Sequence, residues 1–342
     1  MQVKTSRRLA WLALPLSLAL LASACGDDDD STSSGDSGSG SSSDDFSGQT
    51  VSVTGSSTVA PISEIVGEDF STETGADVTV DDPGTGDGFV TFCEGGADIS
   101  DASRQIKEEE IAACEAGGVE YVELKIGFDG MAVMTNPNND SVECLNFADL
   151  YALIGPEAEG LANWSDSQAL ATELGSSTEL PSEPLELTGP GKESGTYDSF
   201  VELALTGIAE ERGQEPGTRT DYSASAEDNT ILTNVESNDF SLGWVGFAFA
   251  DQAGDEVKIL DVAAEPDGDC VTPDAETIAS GDYPLSRSLY IYVNKAKATE
   301  NEAVAGYVDF YLSDLAGFVE SADYVALPDD QTAETQTAWD GR

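Results

Sequence analysis

The amino-acid sequence predicts an α/β fold. Val51–Val53 reads as a short strand, Ile62–Phe70 places apolar side chains at helical spacing, and Val78–Val80 alternates again like a half-buried strand. Strands that alternate with helices are typical of α/β architectures. The roughly 290 residues that follow Gly48 exceed the size of one ordinary domain, so we expect two lobes.

Later segments continue the same alternation. Residues 197–205 and 304–315 carry apolar side chains on one helical face and are predicted as amphipathic helices. Residues 131–135, 242–249 and 289–293 are apolar runs that we predict as strands. The sequence shows no internal repeat.

Residues 1–24 are predicted to be an export signal. Lys4, Arg7 and Arg8 precede an apolar run over residues 9–22, and small residues then lead into Cys25. This LASAC ending resembles a bacterial lipobox, in which the cysteine becomes the lipidated first residue of the mature chain. An ordinary secretory signal cleaved nearby is the alternative, and both predict export from the cytoplasm.

Residues 25–47 are predicted to be a disordered tether, because they consist mostly of Asp, Ser and Gly. The whole chain has 66 acidic and 14 basic residues, a formal net charge of −52. This charge repels nucleic acid and anionic lipid, so we expect no nucleic-acid partner. Acidic runs such as Glu108–Glu110 are interpreted as solvated surface.

Four cysteines follow Cys25, at positions 93, 114, 144 and 270. An even number in an exported protein predicts two disulfides. We prefer the pairs Cys93 with Cys114, which closes a short loop, and Cys144 with Cys270, which would lie within one lobe. A zinc site is disfavoured because the spacings are irregular and the chain has no histidine, and no metal or cofactor is expected.

Three loops rich in Gly, Ser and Thr each lead into a predicted helix. They are residues 55–59 (GSSTV), 84–89 (GTGDGF) and 191–196 (GKESGT). Free backbone N–H groups at a helix start, together with hydroxyl donors and small residues, suit an oxyanion. Capping and turn formation explain each loop alone, but three such loops with residues 98–104 (DISDASR) predict an anion site.

Arg104 is the basic residue that we place against this anion. A planar guanidinium can hold two oxyanion oxygens at once. The alternative is a salt bridge to one of the many surface carboxylates, which is common and weak.

Together these motifs resemble the phosphate-binding proteins of the Pst importer, which have the type II periplasmic binding-protein fold. The resemblance covers nearly all of the chain after the tether. It also includes residues 129–133 (DGMAV), 194–200 (SGTYDSF) and 242–247 (LGWVGF).

The resemblance implies two α/β lobes around a ligand cleft. A hinge of two strands, residues 131–135 and 289–293, would join the lobes. Lobe I would comprise residues 48–130 and 288–342, and lobe II residues 131–287. Closure of the cleft around the anion is the implied mechanism.

The resemblance also implies which residues bind phosphate. The implied set is Ser57, Thr58, Val59, Thr85, Asp101, Ser103, Arg104, Ser194, Gly195 and Thr196. Thr58 and Thr85 would supply hydroxyls, Val59 a backbone N–H, and residues 194–196 would close over the ligand from the second lobe. Pro190 stands where the best-known pattern has an arginine, so Arg104 is expected to provide the guanidinium, as in a subgroup of the family.

Selectivity is expected to depend on a carboxylate. Phosphate near neutral pH still carries a proton and sulfate does not, so a buried carboxylate can accept that proton from phosphate while repelling sulfate. Asp101, in the triplet Ser100-Asp101-Ala102, matches the family's aspartate and is the first candidate. Asp87 and Asp228 are weaker candidates.

The predicted function is therefore an exported, lipid-anchored, monomeric binding protein that delivers phosphate to the permease of an ABC importer and is not an enzyme. The main alternative is a binding protein for sulfate, molybdate or tungstate. A hydrolase with Ser194 as nucleophile is disfavoured, because without histidine only a Ser-Lys arrangement with Lys192 remains. An adhesive surface protein without a small ligand is a third alternative and would have a collapsed or apolar cleft.

Overall fold

A computed structural model describes residues 45–192 and 194–342, so the predicted signal, most of the tether and Cys25 lie outside the described residues. Strands and helices alternate along the described chain, and the α/β prediction is confirmed. The strands are β1 (Thr50–Gly55), β2 (Asp77–Asp81), β3 (Ile99–Ala102), β4 (Tyr121–Thr135), β5 (Cys144–Asn146), β6 (Glu186–Pro190), β7 (Ser223–Ser225), β8 (Ser241–Gly246), β9 (Lys258–Ile259), β10 (Asp261–Ala263), β11 (Ser286–Asn294) and β12 (Val325–Ala326).

The α-helices lie between these strands and after β11. They are α1 (Ala60–Thr74), α2 (Thr85–Cys93), α3 (Glu108–Gly117), α4 (Phe147–Ile154), α5 (Gln168–Glu173), α6 (Gly195–Phe200), α7 (Thr206–Glu211), α8 (Asp228–Glu236), α9 (Phe247–Ala253), α10 (Ala275–Ser280), α11 (Lys295–Glu300), α12 (Glu302–Ser313), α13 (Leu315–Ser321) and α14 (Asp329–Asp340). Short 3-10 turns occupy residues 156–158, 164–167 and 254–256.

The main sheet has the strand order β2-β1-β3-β11-β4-β8-β6-β7. β1 pairs in parallel with β2 and β3, whereas β11 runs antiparallel to β3 and β4. β4 is long: residues 121–130 pair with β11, and residues 131–135 pair with β8. The predicted hinge segments therefore lie in β4 and β11, while the lobe boundaries stay a prediction.

Three local features differ from the predicted elements. The strand predicted over residues 242–249 ends at Gly246, and α9 begins at Phe247. The helix predicted over residues 304–315 is broken at Asp314, whose backbone angles (φ −140°, ψ 47°) are not helical. The helix predicted over residues 197–205 changes from α-helical to π-helical at Val201.

The buried face of α1 fixes the position of the loop that precedes it. Ile62, Val66 and Phe70 are almost fully buried, and the Phe70 ring packs edge-on against Tyr307 of α12, with 5.7 Å between ring centroids. Full burial of each such apolar side chain contributes about 1.5–3 kcal/mol. The start of α1 is therefore held firmly against the end of β1.

Two disulfides confirm the preferred pairing of the cysteines. Cys93 bonds to Cys114 and joins α2 to α3, and Cys144 bonds to Cys270 and joins β5 to the segment after β10. In residues 45–192 and 194–342, none of the helices combines the length and the apolar character that a membrane span requires.

Candidate anion-binding site

A polar cavity of about 380 Å³ lies where the ends of several elements meet. It is lined by Ser56, Ser57, Thr58, Gly84, Thr85, Gly86, Ser103, Arg104, Lys107, Asp198, Glu202 and Arg287. Hydroxyl groups, glycines and charged side chains make up this lining, so the cavity is suited to a small polar ligand. These residues form an open polar cavity, whereas an adhesive protein was expected to have an apolar or collapsed cleft.

The loop after β1 forms one wall, and its path requires glycine at position 55. A side chain at Gly55, whose φ is 138°, would place its Cβ 2.1 Å from the carbonyl oxygen of Asp101. This close approach lets the Ser56 N–H donate to that oxygen at 3.0 Å. The Thr58 N–H donates to Ser56 Oγ, and the Val59 N–H donates to Ser56 O at 3.1 Å. Ser57 and Thr58 line the cavity, whereas Val59 is buried behind them.

The start of α2 and the segment after β3 form the adjoining wall. The hydroxyl oxygens of Thr85 and Ser103 lie 3.2 Å apart, and the Ser103 N–H donates to Thr85 Oγ1 at 3.3 Å. The structure thus brings together two predicted site residues from different loops. Gly84 and Gly86 beside them leave the backbone accessible from the cavity.

Arg104 lies on the same wall, where its guanidinium is paired with the carboxylate of Glu110. Both terminal nitrogens of its guanidinium donate to Glu110, at 2.8 and 2.7 Å, and the group lies 5.7 Å from the centroid of the Phe89 ring. Hydrogen bonding to Glu110 raises the pKa of Arg104 further above its usual range. Bidentate pairing and stacking both restrict the side chain, so Arg104 is presented to the cavity in a defined orientation.

The prediction that Glu108–Glu110 is solvated surface is wrong for Glu110. Its side chain is only 15% exposed, and it also accepts from the Lys107 N–H at 2.8 Å. Burial acts to raise the pKa of Glu110, but the hydrogen bonds from Arg104 and Lys107 hold it below its ordinary value. Glu110 is therefore an ionised support for Arg104.

Arg287, at the start of β11, is a second cavity arginine that the sequence reasoning missed. Its Nη2 donates to Thr58 Oγ1 at 2.8 Å and to Ser199 Oγ at 2.5 Å. Its Nε donates to Asp129 of β4 at 3.3 Å, and its Nη1 donates to Glu202 at 2.5 Å. With 9% of its side chain exposed, Arg287 joins three separate parts of the fold at the cavity.

α6 and the π-helical turn that follows it face the loop after β1. Ser194 caps α6 by accepting from the Thr196 N–H at 3.2 Å. A Cβ on Gly195 would lie 3.4 Å from the carbonyl oxygen of Ser57, so the two segments are in direct contact. Asp198 of α6 lines the cavity, and partial burial raises its pKa.

Residues 194–196 lie beside this cavity rather than in its lining. Gly195 lines an adjoining cavity of about 450 Å³, which shares Ser57, Gly84 and Asp198 with the first. Ser194 and Thr196 line neither of the two.

Asp101 lies one layer behind the cavity. Its side chain is 1% exposed and points beneath α1, where Oδ1 accepts from Ser63 Oγ at 3.0 Å. Its Oδ2 has no hydrogen-bond partner among the described residues. Burial raises the pKa of Asp101 to about 8, because the charged form is poorly solvated there.

The two weaker acceptor candidates lie outside the lining of the cavity. Asp87 belongs to the first turn of α2. Asp228 is the first residue of α8, where burial, with the charges of Asp323 and Glu227, raises its pKa to about 6.

Comparison with known proteins identifies the family. Residues 32–314 match the PBP superfamily domain. The protein SphX of Synechocystis sp. is 37% identical over 83% of this chain and 80% of its own length. The phosphate-binding protein PstS of Staphylococcus saprophyticus is 33% identical over 84% of this chain and 83% of its own. The chain belongs to the PstS-type family of the PBP superfamily.

A solved structure agrees with this assignment. The crystal structure of a possible phosphate binding protein from Planctomyces limnophilus is 33% identical, has a TM-score of 0.77, and covers 86% of this chain and 99% of that one. The predicted fold class, the type II periplasmic binding-protein fold, is thereby confirmed. PstS-type proteins are substrate-binding proteins that act outside the cytoplasmic membrane, and theirs is not an enzyme family.

Proposed function

We propose that this protein captures inorganic phosphate outside the cytoplasmic membrane and delivers it to the permease of an ABC importer. The observation that supports this best is the pair of cavity arginines, Arg104 and Arg287, in a chain of net charge −52. Such a chain repels anions at long range, so a site for an anion needs fixed local donors. The two guanidinium groups, with the hydroxyls around them, are such donors.

Phosphate is held in this proposal by hydrogen bonds from two walls of the cavity. Ser57 and Thr58 donate from the loop after β1, Thr85 and Ser103 from the adjoining wall, and Arg104 donates with its charge. The backbone N–H of Val59 reaches the ligand when the loop adjusts. The walls of the cavity supply charge-assisted hydrogen bonds, which are roughly twice as strong as neutral ones.

Closure is proposed to bring residues 194–196 onto the ligand. We assign residues 48–130 and 288–342 to one lobe and residues 131–287 to the other. The contact of Gly195 with the carbonyl oxygen of Ser57 supports an approach of the second lobe to the loop after β1. Rotation about β4 and β11 then exposes the site to solvent or covers it.

Asp101 is proposed to accept a hydrogen bond from protonated phosphate, after its carboxyl gives up, on ligand binding, the proton that burial keeps on it in the empty site. Its unpartnered Oδ2 supports this role, because a buried acceptor without a donor is costly and a protonated ligand would supply the donor. The loop after β1 is bonded directly to the Asp101 backbone, so the loop and the carboxyl can shift together.

Anchoring through a lipid on Cys25 completes the proposal. The acidic segment after Cys25 would hold the binding domain away from the membrane surface. The protein is proposed to act as a monomer and without catalysis; a chain without histidine has no Ser-His-Asp arrangement.

Isothermal titration of the purified protein with phosphate, after removal of carried-over ligand, tests the function. We expect one-to-one binding that excess sulfate does not displace. Binding of sulfate, molybdate or tungstate in place of phosphate would preserve the fold and overturn the assignment of ligand.

A further inference from the structure

The hydrogen bonds of Arg287 leave little capacity for another ligand. Its Nε and Nη2 groups are committed to Asp129, Thr58 and Ser199, and its Nη1 group donates to Glu202. A guanidinium has five N–H donors, and four of them are accounted for by these contacts. The one remaining N–H is on Nη1, beside the Glu202 carboxylate, so an anion that approaches Arg287 closely must either lie against this carboxylate or displace a present partner.

The two carboxylates on Arg287 differ in their freedom to move. The Asp129 side chain is 3% exposed and lies opposite Arg287 in the register of β4 and β11. The Glu202 side chain is 58% exposed and is carried by the π-helical turn over residues 201–205. Of these two, Glu202 is the partner that can turn out to solvent at little cost. π-helical turns also recur at functional sites in other proteins.

Arg104, the other cavity arginine, has no carboxylate partner that is similarly exposed in the part of the chain that the structure describes. Glu110, which pairs with Arg104, is largely buried and is also tied to the Lys107 N–H. Asp198, one helical turn before Glu202, lines the cavity as well, but among the described residues it forms no ion pair with either cavity arginine. Glu202 is thus distinguished by being both exposed and paired with a cavity arginine.

We propose that Glu202 is an internal competitor for Arg287, which an entering anion must displace. This inference rests on the proposed function. The Glu202 carboxylate, which accepts from Arg287 Nη1, repels an anion that approaches this nitrogen. The anion can accept a hydrogen bond from Nη1 only when the Glu202 side chain turns away. Glu202 therefore lowers the affinity for phosphate and makes release from the cavity easier.

The test is the isosteric variant Glu202→Gln, titrated with inorganic phosphate beside the wild-type protein. Removal of a competitor that is mostly exposed should tighten binding about three- to tenfold. Glu210→Gln is the matched control, because it makes the same change of charge at an exposed position on α7, away from the cavity lining. We expect the control to bind phosphate like the wild type.

The same Glu202→Gln change, made in a protein that already carries a substitution at Arg287, shows whether the change in phosphate affinity depends on Arg287. In Arg287→Lys or Arg287→Gln protein, whichever remains folded by circular dichroism, the change at Glu202 should give a much smaller gain. Equal affinity of Glu202→Gln and wild type would overturn the inference. Weaker binding by Glu202→Gln would also overturn it, since Glu202 would then be a direct acceptor for the ligand. A wild-type protein that binds no phosphate would instead refute the proposed function.

Discussion

The buried carboxyl of Asp101 should make the stability of this protein depend on pH. Its pKa is raised by burial to about 8, whereas an aspartate in an unfolded chain titrates near 3.9. Between these values the folded protein keeps a proton that the unfolded chain has lost. The contribution of Asp101 to the free energy of unfolding therefore falls as pH rises from about 4 to about 8.

The size of this effect follows from the difference between the two pKa values. One proton changes the free energy of unfolding by up to about 1.4 kcal/mol per pH unit. Between pH 5 and pH 8 the Asp101 contribution is therefore on the order of 4 kcal/mol. This is a large fraction of the 5–15 kcal/mol that is typical of whole domains.

The perturbation that isolates this contribution is Asp101→Asn, which keeps the shape and cannot ionise. Urea unfolding of wild type and variant, in buffer free of phosphate and sulfate, should give similar stability at about pH 4 and a variant that becomes progressively more stable than the wild type up to pH 8. Asp69→Asn, an exposed position on α1, controls for the loss of one charge. Parallel curves for wild type and Asp101→Asn across this pH range would refute the reasoning.

Three further variants test the proposed site and anchor. Arg104→Ala should weaken phosphate binding by about 2–5 kcal/mol, because it also leaves the charge of Glu110 unpaired; an unchanged affinity by calorimetry would remove Arg104 from the site. Thr196→Val should weaken binding without altering the unfolding midpoint, and equal affinity would place that hydroxyl outside the site. Cys25→Ala should move the protein from the membrane fraction to the medium or periplasm, and continued sedimentation with membranes would contradict lipid anchoring.

Local sequence patterns were sufficient to predict which loops form the cavity. Gly, Ser and Thr before an apolar helical stripe indicate a loop with donors, and the structure brings Thr58, Thr85 and Ser103 to one cavity. The disulfides were also predictable, because the four cysteines allow few pairings and one pair closes a short loop. The loops and the pair Cys93–Cys114 depend on residues that are close in sequence, whereas Cys144 and Cys270 are 126 positions apart and were paired because both would lie within one lobe.

Arg287 could not be predicted in the same way. Its position depends on pairing with Asp129, 158 residues away, and on contact with Thr58, 229 residues away. A single arginine before an apolar strand has no local signal that distinguishes a cavity residue from a surface one. The scarcity of basic residues, 14 against 66 acidic ones, was the one feature of the sequence that could have drawn attention to Arg287.

The pairing of Glu110 with Arg104 could not be predicted from the sequence for a different reason. In sequence it is the third of three consecutive glutamates, and such runs are normally solvated. Helical geometry separates the three, since neighbouring residues on a helix point in different directions. Only Glu110 turns towards Arg104, so one member of the run becomes a buried support while its neighbours remain exposed.

The disulfide between Cys144 and Cys270 affects what happens to the protein after a protease cuts it. It spans 126 positions of the sequence, and exposed loops in such a stretch are where proteases cut first. A single cut between the two cysteines would leave both pieces in one covalent molecule, with the sheet still assembled around them. Such a nicked protein would migrate as one band on a gel until reductant was added, and it could go on binding its ligand after the chain itself was broken.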